Sequence, residues 1–341
     1  MIPRLRPLGA QLRVGWATSA SLVADRATFR GLETSVAMRI ANVGRWVNHN
    51  LPVRSEMYRP DRRYDVVVFV KAMDETAREE RERIQARGAK AVFDANVNYY
   101  EIWGDYELPN TRPTEEQRAA AIEMTEQADA VVADSSYIHD IVGKLNDRAV
   151  WIPDNVDLRL FRPSRRRRPA PATRLVWSGR AAKARPLQLL HELAGTLEGF
   201  ELVVVSDREP AELTGLRETL PSTFEAFDLR RYARILRTCD AIISPKRLVN
   251  GYEAGHTEWK ITLGMAAALP AVASPQRSYV EALEDGGGIV ADSREDWIAA
   301  LESMRDPDLR RELGARARAT VEERYSTPVV ARRYGEFLLS L

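Results

Sequence analysis

Fixed cations at the carboxyl ends of apolar strands, beside a helix start, can hold an anion, and the second half of this chain offers that pattern. In WSGRAAKARP, Gly179-Arg180 closes an apolar run and Lys183 follows closely. In HTEWKITLGMAAALPAVAS (256–274) a polar loop leads into a helix of about three turns. The reading takes Thr257 as its N-cap and puts Glu258 in the first turn, where a carboxylate favours the positive helix end. The first amides of such a helix have no partners inside it, and Lys260, one turn in, can reach the same anion. Arg180, Lys183, Lys260 and the amides of His256–Glu258 together suit a diphosphate. Singly, each cation is an ordinary solvated charge, and Ile261, Met265 and the alanines pack an α/β layer. His256 reads either as a loop cap or as a ligand to the same phosphate.

The elements that must position these groups alternate along the chain. Leu12–Thr18, Tyr64–Lys71, Ala91–Asn96, Ala130–Asp134 and Val150–Ile152 read as strands. Between them lie helical stretches at Leu32–Val47, Glu75–Gly88, from Thr114 as cap to Gln127, and after Ser135. Near-continuous apolar strands alternating with amphipathic helices indicate a parallel sheet covered on both faces. NYYEIWGDYELPNTRP (98–113), with Tyr99, Tyr100 and Trp103, is longer than an ordinary connection and reads as a candidate lid. Pro153–Asp157 is a turn, and RPSRRRRPAPAT (162–173), with Arg165–Arg168, reads as a solvated linker ahead of an anionic-lipid contact.

The alternation then restarts. Arg174–Trp177, Phe200–Ser206, Thr223–Phe227, Ala241–Ser244 and Ala271–Ser274 read as strands. Leu187–Leu197, Leu229–Thr238, Ser278–Glu284, Glu295–Met304, Pro307–Arg324 and a last stretch opened by Ser326 read as helices. The expectation is two Rossmann-like α/β domains facing a central cleft. The boundaries are 1–157 for the first, 158–173 for a linker and 174–325 for the second, with 326–341 crossing back to the first. Ligands of paired open sheets bind at the strands' carboxyl ends.

Composition narrows the partners. The 341 residues carry a net charge of +1, which argues against a polyanion such as nucleic acid spread over the surface. Cys239 is the one cysteine, and the four histidines lie far apart, so no metal cluster is expected. The first sixteen residues lack the apolar core of a secretory signal, and VVVFV (66–70) is strand length. The expected place is the cytoplasm, with peripheral contact at the inner membrane face left open.

Four segments carry a resemblance. WSGRAAKARPLQLL resembles the "GR…K" segment opening the donor domain of GT-B-fold glycosyltransferases, in particular the retaining group called family 4 or group 1. IPDNVDLRLFRP (152–163) is similar to their inter-domain signature, ADAVVADSSY (128–137) to the strand and serine turn before it, and EWKITLGMAAALPAVAS to their "NK…EAMAxGLPVVAS" segment. The match runs from about Ala128 onward and is specific through order and spacing; before Ala128 only the architecture matches.

That resemblance implies a GT-B fold and transfer of a sugar, with retention, from a nucleoside diphosphate to an acceptor hydroxyl. The acceptor would be a glycan, a lipid-linked sugar or a small molecule. No tightly bound cofactor and no metal are implied. Arg180, Lys183 and Lys260 would bind the donor diphosphate, with Glu253, Thr257, Glu258 and His256 about it. The chain departs from the family's paired glutamates. The ribose-contacting one falls on Leu263, and the other falls near Gly255, with Glu253 the nearest carboxylate. Where the family has a strand-end histidine touching the transferred sugar, this chain has Asn96, next to Asp94. Asp94 reads as a base, an acceptor ligand or a structural strand-end cap, and asparagine can hydrogen-bond a sugar without carrying a proton. Gly31 is the one match to the glycine-rich acceptor loop, and Tyr99, Tyr100 and Trp103 would meet the acceptor. Tyr279 and Glu281 read as packing. A nucleotide-sugar 2-epimerase and a non-catalytic binding module are the other readings.

Overall fold

The computed structural model of the protein describes residues 11–19, 37–164 and 172–341. They form two compact units. Unit 1 holds the described residues up to Ile102, Pro113–Asn155 and Thr327–Leu341; unit 2 holds Trp103–Arg112 and Val156–Ser326.

Unit 1 is built on a parallel sheet of β1 (Leu12–Ala17), β2 (Val53–Met57), β3 (Val66–Val70), β4 (Lys90–Ala95), β5 (Ala130–Ala133) and β6 (Ala149–Trp151) in the order β2-β1-β3-β4-β5-β6. Every residue of β3 is buried, as its unbroken apolar run requires of a strand covered on both faces. Three helix starts carry side-chain caps, two of them, Ser135 and Thr114, as their sequences suggest. Asp74 accepts from the Ala77 amide at 2.9 Å, Ser135 accepts from Ile138 at 3.3 Å, and Thr114 with Gln117 closes a reciprocal capping box. The chain returns to this unit at its end. Helix Thr327–Leu339 packs against helix Val43–Asn50 so closely that a Cβ on Gly335 would lie 2.3 Å from Leu51. The Tyr334 ring meets Trp16 edge-on at 5.3 Å.

Unit 2 repeats the plan with β7 (Thr173–Ser178), β8 (Phe200–Ser206), β9 (Ser222–Ala226), β10 (Ala241–Ser244), β11 (Ala271–Ala273) and β12 (Gly288–Val290), ordered β12-β11-β10-β7-β8-β9 and parallel throughout. Helix Trp259–Ala266 lies on β10, and Gly264 makes the approach possible, since a Cβ there would stand 2.7 Å from Ile242.

The structure differs from the sequence expectations in several places. β2 joins the sheet edge beside β1 although VRSEM alternates in burial and carries no apolar run. The single helix expected over Leu187–Leu197 is a chain of short turns, Arg185–Leu187, Gln188–Glu192 and Ala194–Thr196, with Gly195, a poor helix former, in the last of them. Its leucines 187, 190, 193 and 197 are still buried. Within the stretch expected to be linker, Phe161 is buried in the unit 2 core; Arg165–Arg168 lie outside the described residues. No described helix is long and apolar enough to cross a membrane.

Trp103–Arg112 also departs from its expected domain, for it packs with unit 2. Gly104 adopts φ +77°, and a Cβ on it would stand 1.8 Å from the Val249 carbonyl oxygen. That contact lets Gly104 bridge Asn250 in antiparallel fashion, with Asp105 N–H donating to Val249 O at 3.0 Å and Asn250 Nδ2 donating to Asp105 O at 2.7 Å.

Candidate functional site

The carboxyl ends of β7 and β10 and the start of helix Trp259–Ala266 converge on a cavity of about 240 Å³ in unit 2. Lys183, Arg185, Lys246, Arg247 and Lys260 contribute to its lining, with Glu253 and the strap residues Asp105 and Glu107. Local chemistry fixes each side chain. Gly179 leaves room where a Cβ would strike the Trp177 ring at 2.7 Å and Lys260 Nζ at 3.1 Å, so that Lys260 lies 5.6 Å from the indole centroid. Asn250 accepts from the Glu253 amide at 2.8 Å, opening the turn Gly251–Ala254 that presents Tyr252 and Glu253. Lys183 Nζ donates to the Tyr252 hydroxyl at 2.8 Å and stands 3.0 Å from His256 Nε2. The imidazole meets the Tyr252 ring edge-on.

Charge is unevenly compensated there. Lys246 Nζ pairs with Glu253 at 2.9 Å, and the Lys246 side chain is only 5% exposed. Burial pushes Glu253 up, but Lys246 and Lys183 outweigh it and hold the carboxyl below its ordinary range. Lys260 stands otherwise. Loss of hydration, then repulsion from Lys246 and Lys183, pushes its pKa well below the ordinary lysine value, with only Glu253 opposing. Burial, then Lys246, Lys183 and Lys260, push His256 down, which favours a neutral ring, and an ammonium on Lys183 can only donate to its Nε2. Glu107 bridges two further cations, taking Arg185 at 2.7 Å and Arg247 at 2.8 Å. A cavity of this kind is complementary to a compact dianion, which would relieve Lys260 and Lys183 without a metal. Among the described residues no group of three or more His, Cys, Asp or Glu side chains is placed to hold an ion.

Several sequence candidates fall elsewhere. Lys183, Glu253 and Lys260 line the cavity and His256 touches Lys183. Arg180 is exposed and is absent from the lining. Thr257 does not cap the helix. The His256 and Thr257 carbonyls accept from Gln276 Nε2 at 2.6 and 3.4 Å, which holds that segment off the helix axis, and the cap position falls on Glu258 in helical conformation. The first ladder bonds run from Ile261 and Thr262 to the Glu258 carbonyl, so the amides outside the ladder are those of Trp259 and Lys260. Glu258 itself is wholly buried, facing Tyr279 and Tyr325, and cannot meet a ligand in this conformation. Lys246, Arg247 and Arg185 are cavity cations the sequence reading missed, as it missed Tyr252, which holds Lys183. Lys246-Arg247 directly follows the end of β10, so the rule that examines strand ends marks both.

In unit 1, Asp94 at the end of β4 is not an open base. It is 0% exposed, and its carboxylate accepts from Arg39 Nε at 2.9 and 3.0 Å and from the Tyr334 hydroxyl at 2.8 Å. Arg39 also donates to Asp154 and to the Ile152 carbonyl, so the cluster ties strands β4 and β6 to the terminal helix. Burial raises Asp94 while Arg39 opposes it. Tyr100 is likewise core, with its hydroxyl 2.7 Å from Thr125, and Tyr99 is partly buried. Trp103 is 41% exposed and belongs to unit 2. Asn96 follows Asp94 and keeps a buried Oδ1. Gly31 lies outside the described residues. Tyr279 and Leu263 are core residues of unit 2.

No protein-family model matches the chain, and no curated protein does. Solved structures match the fold. A glycosyltransferase from Rickettsia africae superposes with a TM-score of 0.68 at 14% identity, covering 97% of this chain and 98% of that one. HepE from Anabaena, solved with UDP and glucose, gives 0.64 at 14% identity over 97% and 100% of the two chains. TarM gives 0.62 at 13% identity over 80% of this chain, which spans about half the length of TarM. The paired parallel sheets expected from the sequence are therefore present, and the fold is that of the GT-B glycosyltransferases.

Proposed function

We propose that the protein is a glycosyltransferase that moves a sugar from a nucleoside diphosphate to an acceptor hydroxyl, with retention and without a metal. One observation carries the reading: the unit 2 cavity gathers five basic side chains at strand ends and a helix start, and burial with repulsion from Lys246 and Lys183 holds Lys260 among them well below its ordinary pKa. A departing diphosphate supplies that charge, and preorganised ammonium groups with the first amides of the helix stabilise it without rearrangement. Lys183, Lys246 and Lys260 would bear on the phosphates. His256, neutral and hydrogen-bonded to Lys183, would orient that lysine. UDP is the first nucleotide to try, because HepE was solved with UDP and with UDP-glucose. The acceptor would be a glycan, a lipid-linked sugar or a small molecule, met in the cytoplasm or at the inner membrane face.

Calorimetric titration with UDP and other nucleoside diphosphates tests the reading, followed by assay of a nucleotide-sugar for hydrolysis or transfer. Binding that is lost in both Lys260→Ala and Lys183→Ala, with the fold intact, supports it. Full affinity in both variants overturns it. One observation favours a second reading, a binding module without turnover: Leu263, 2% exposed and packed in the core, stands where the resembling family carries its ribose-contacting glutamate. Nucleotide binding with no transfer or hydrolysis from any donor would select that reading.

A further inference from the structure

The carboxyl end of the unit 1 sheet holds two buried oxygen acceptors that the fold leaves unused. β4 and β5 pair through Ala95 and Ala133, so Asn96 and Asp134 follow at neighbouring strand ends, with the Asp134 amide donating to the Ala95 carbonyl at 3.3 Å. Asp134 is 4% exposed. Its Oδ1 and the Oδ1 of Asn96 are both buried and have no hydrogen-bond partner among the described residues. Buried carboxylates are almost always paired, because an unpartnered one bears the full cost of lost hydration.

The charge count points the same way. Asp94 and Asp154 share the Arg39 guanidinium. Asp134 shares the region with both carboxylates but makes no ion pair of its own among the described residues; Arg39 and Lys71 reach it only at longer range, and burial with repulsion from Asp154 holds its carboxyl well above the ordinary range. Two buried acceptors, one of them on a carboxyl whose ionised form has no close counter-charge, make a site that lacks a cation to ionise it. A hydroxyl supplies one donor and no charge. An ammonium supplies three donors and the charge.

We infer that Asn96 and Asp134 form a binding site for the ammonium group of a polyhydroxylated amine, an amino sugar or aminocyclitol, at the carboxyl end of the unit 1 sheet. This deepens the transferase reading and rests on it for its meaning, since such a ligand would be the acceptor. Entry of the ammonium ionises Asp134, and the proton leaves to solvent.

The test is calorimetry of the full chain with glucosamine and with glucose, in two buffers of different ionisation enthalpy, with UDP as a separate arm. Glucosamine should bind about tenfold or more tightly than glucose, with proton release, and Asp134→Asn should erase the preference while retaining the fold. Asn96→Ala should weaken glucosamine and leave UDP affinity unchanged. Equal affinity for the two sugars, no detectable glucosamine binding, or an undiminished preference in Asp134→Asn overturns the inference. UDP binding without an amine preference would overturn this site alone. An amine preference without binding of any nucleotide would overturn the transferase reading and leave the site standing.

Discussion

Lys246 Nζ lies 2.9 Å from Glu253 Oε2, and this buried pair sits in the same cavity as Lys260, which has no carboxylate within ion-pair distance among the described residues. The fold thus neutralises one ammonium internally and leaves another to be met from outside. A charge left waiting in a low-dielectric cavity destabilises the free protein and is recovered when an anion arrives.

The pH dependence follows from that. Below its folded pKa Lys260 is charged in both folded and unfolded chains, and the fold bears the whole cost of the buried charge. As the pH rises from there toward the ordinary value of 10.5, the folded chain has shed a proton that the unfolded chain keeps, so this residue's contribution to stability improves. Diphosphate binding reverses the shift and takes up protons. UDP affinity should therefore be higher at about pH 6 than at about pH 9, and calorimetry in two buffers should register proton uptake. Lys260→Met should raise the unfolding midpoint of the free protein near neutral pH while weakening UDP by about a hundredfold. A variant that lost stability and kept its affinity would place the lysine in the scaffold.

Glu107 would compete with a diphosphate for the same cations. It bridges Arg185 and Arg247 from the strap, with all three side chains about a third or more exposed, so the two pairs together contribute only about 1 kcal/mol. Removing that internal anion in Glu107→Gln should tighten UDP by about fivefold, with the gain shrinking as salt is added. Gly104→Ala separates strap from charge. A methyl 1.8 Å from the Val249 carbonyl must displace the strap, and amide exchange at Asp105 should rise sharply. Weaker UDP binding in Glu107→Gln would make the strap a ligand-holding wall instead.

What could be read from the residues alone divides along physical lines. Strands such as VVVFV and FELVVVS announce themselves because a doubly covered strand must be apolar throughout, and caps such as Thr114 and Ser135 because a polar side chain at a helix start has one good use. The edge strand β2 was illegible, since one covered face and one open edge leave VRSEM without an apolar run. Lys183, Lys260, Glu253 and His256 were found through strand ends and family resemblance, and the structure brings them together. The buried state of Asp94 was not legible, because its partners Arg39 and Tyr334 lie 55 and 240 residues away. The strap was also hidden. Its attachment depends on Gly104 taking φ +77° against a carbonyl distant in sequence, which no local pattern encodes.

The Asp94 cluster predicts a loss of fold where a catalytic reading predicts a loss of turnover. Asp94→Ala leaves the Arg39 guanidinium, 2% exposed, without its main partner, and should destabilise unit 1 by about 3–5 kcal/mol. Tyr334→Phe removes one hydrogen bond to the same carboxylate and should cost about 1 kcal/mol. Denaturant unfolding, with amide exchange in β1 around Trp16, which packs on Tyr334, reads both. An Asp94→Ala variant with wild-type stability and no activity would return the residue to catalysis.

A last prediction concerns the end of helix Trp259–Ala266. Ala268 adopts φ +58°, and the surrounding hydrogen bonds explain why. Leu269 N–H donates to Gly264 O at 3.1 Å and Ala268 N–H to Met265 O at 2.9 Å, the pair of reversed bonds that closes a helix through a left-handed residue. Glycine is the usual occupant, because a Cβ in that conformation costs roughly 1–2 kcal/mol. The resembling family's "GLP" has glycine at this point, and this chain bears the strain. Ala268→Gly should stabilise unit 2 by about 0.5–1 kcal/mol, the relief being partly offset by the greater freedom glycine gives the unfolded chain. Ala267→Gly, one residue earlier at the helix C-cap with negative φ (−84°), relieves no strain and loses a buried methyl, and should instead destabilise by about 1 kcal/mol. The two neighbours differ in the sign of φ, and Ala267 is also the more buried, so a midpoint that rises only in Ala268→Gly would place the strain at Ala268, and midpoints that fall together would assign the effect to lost packing.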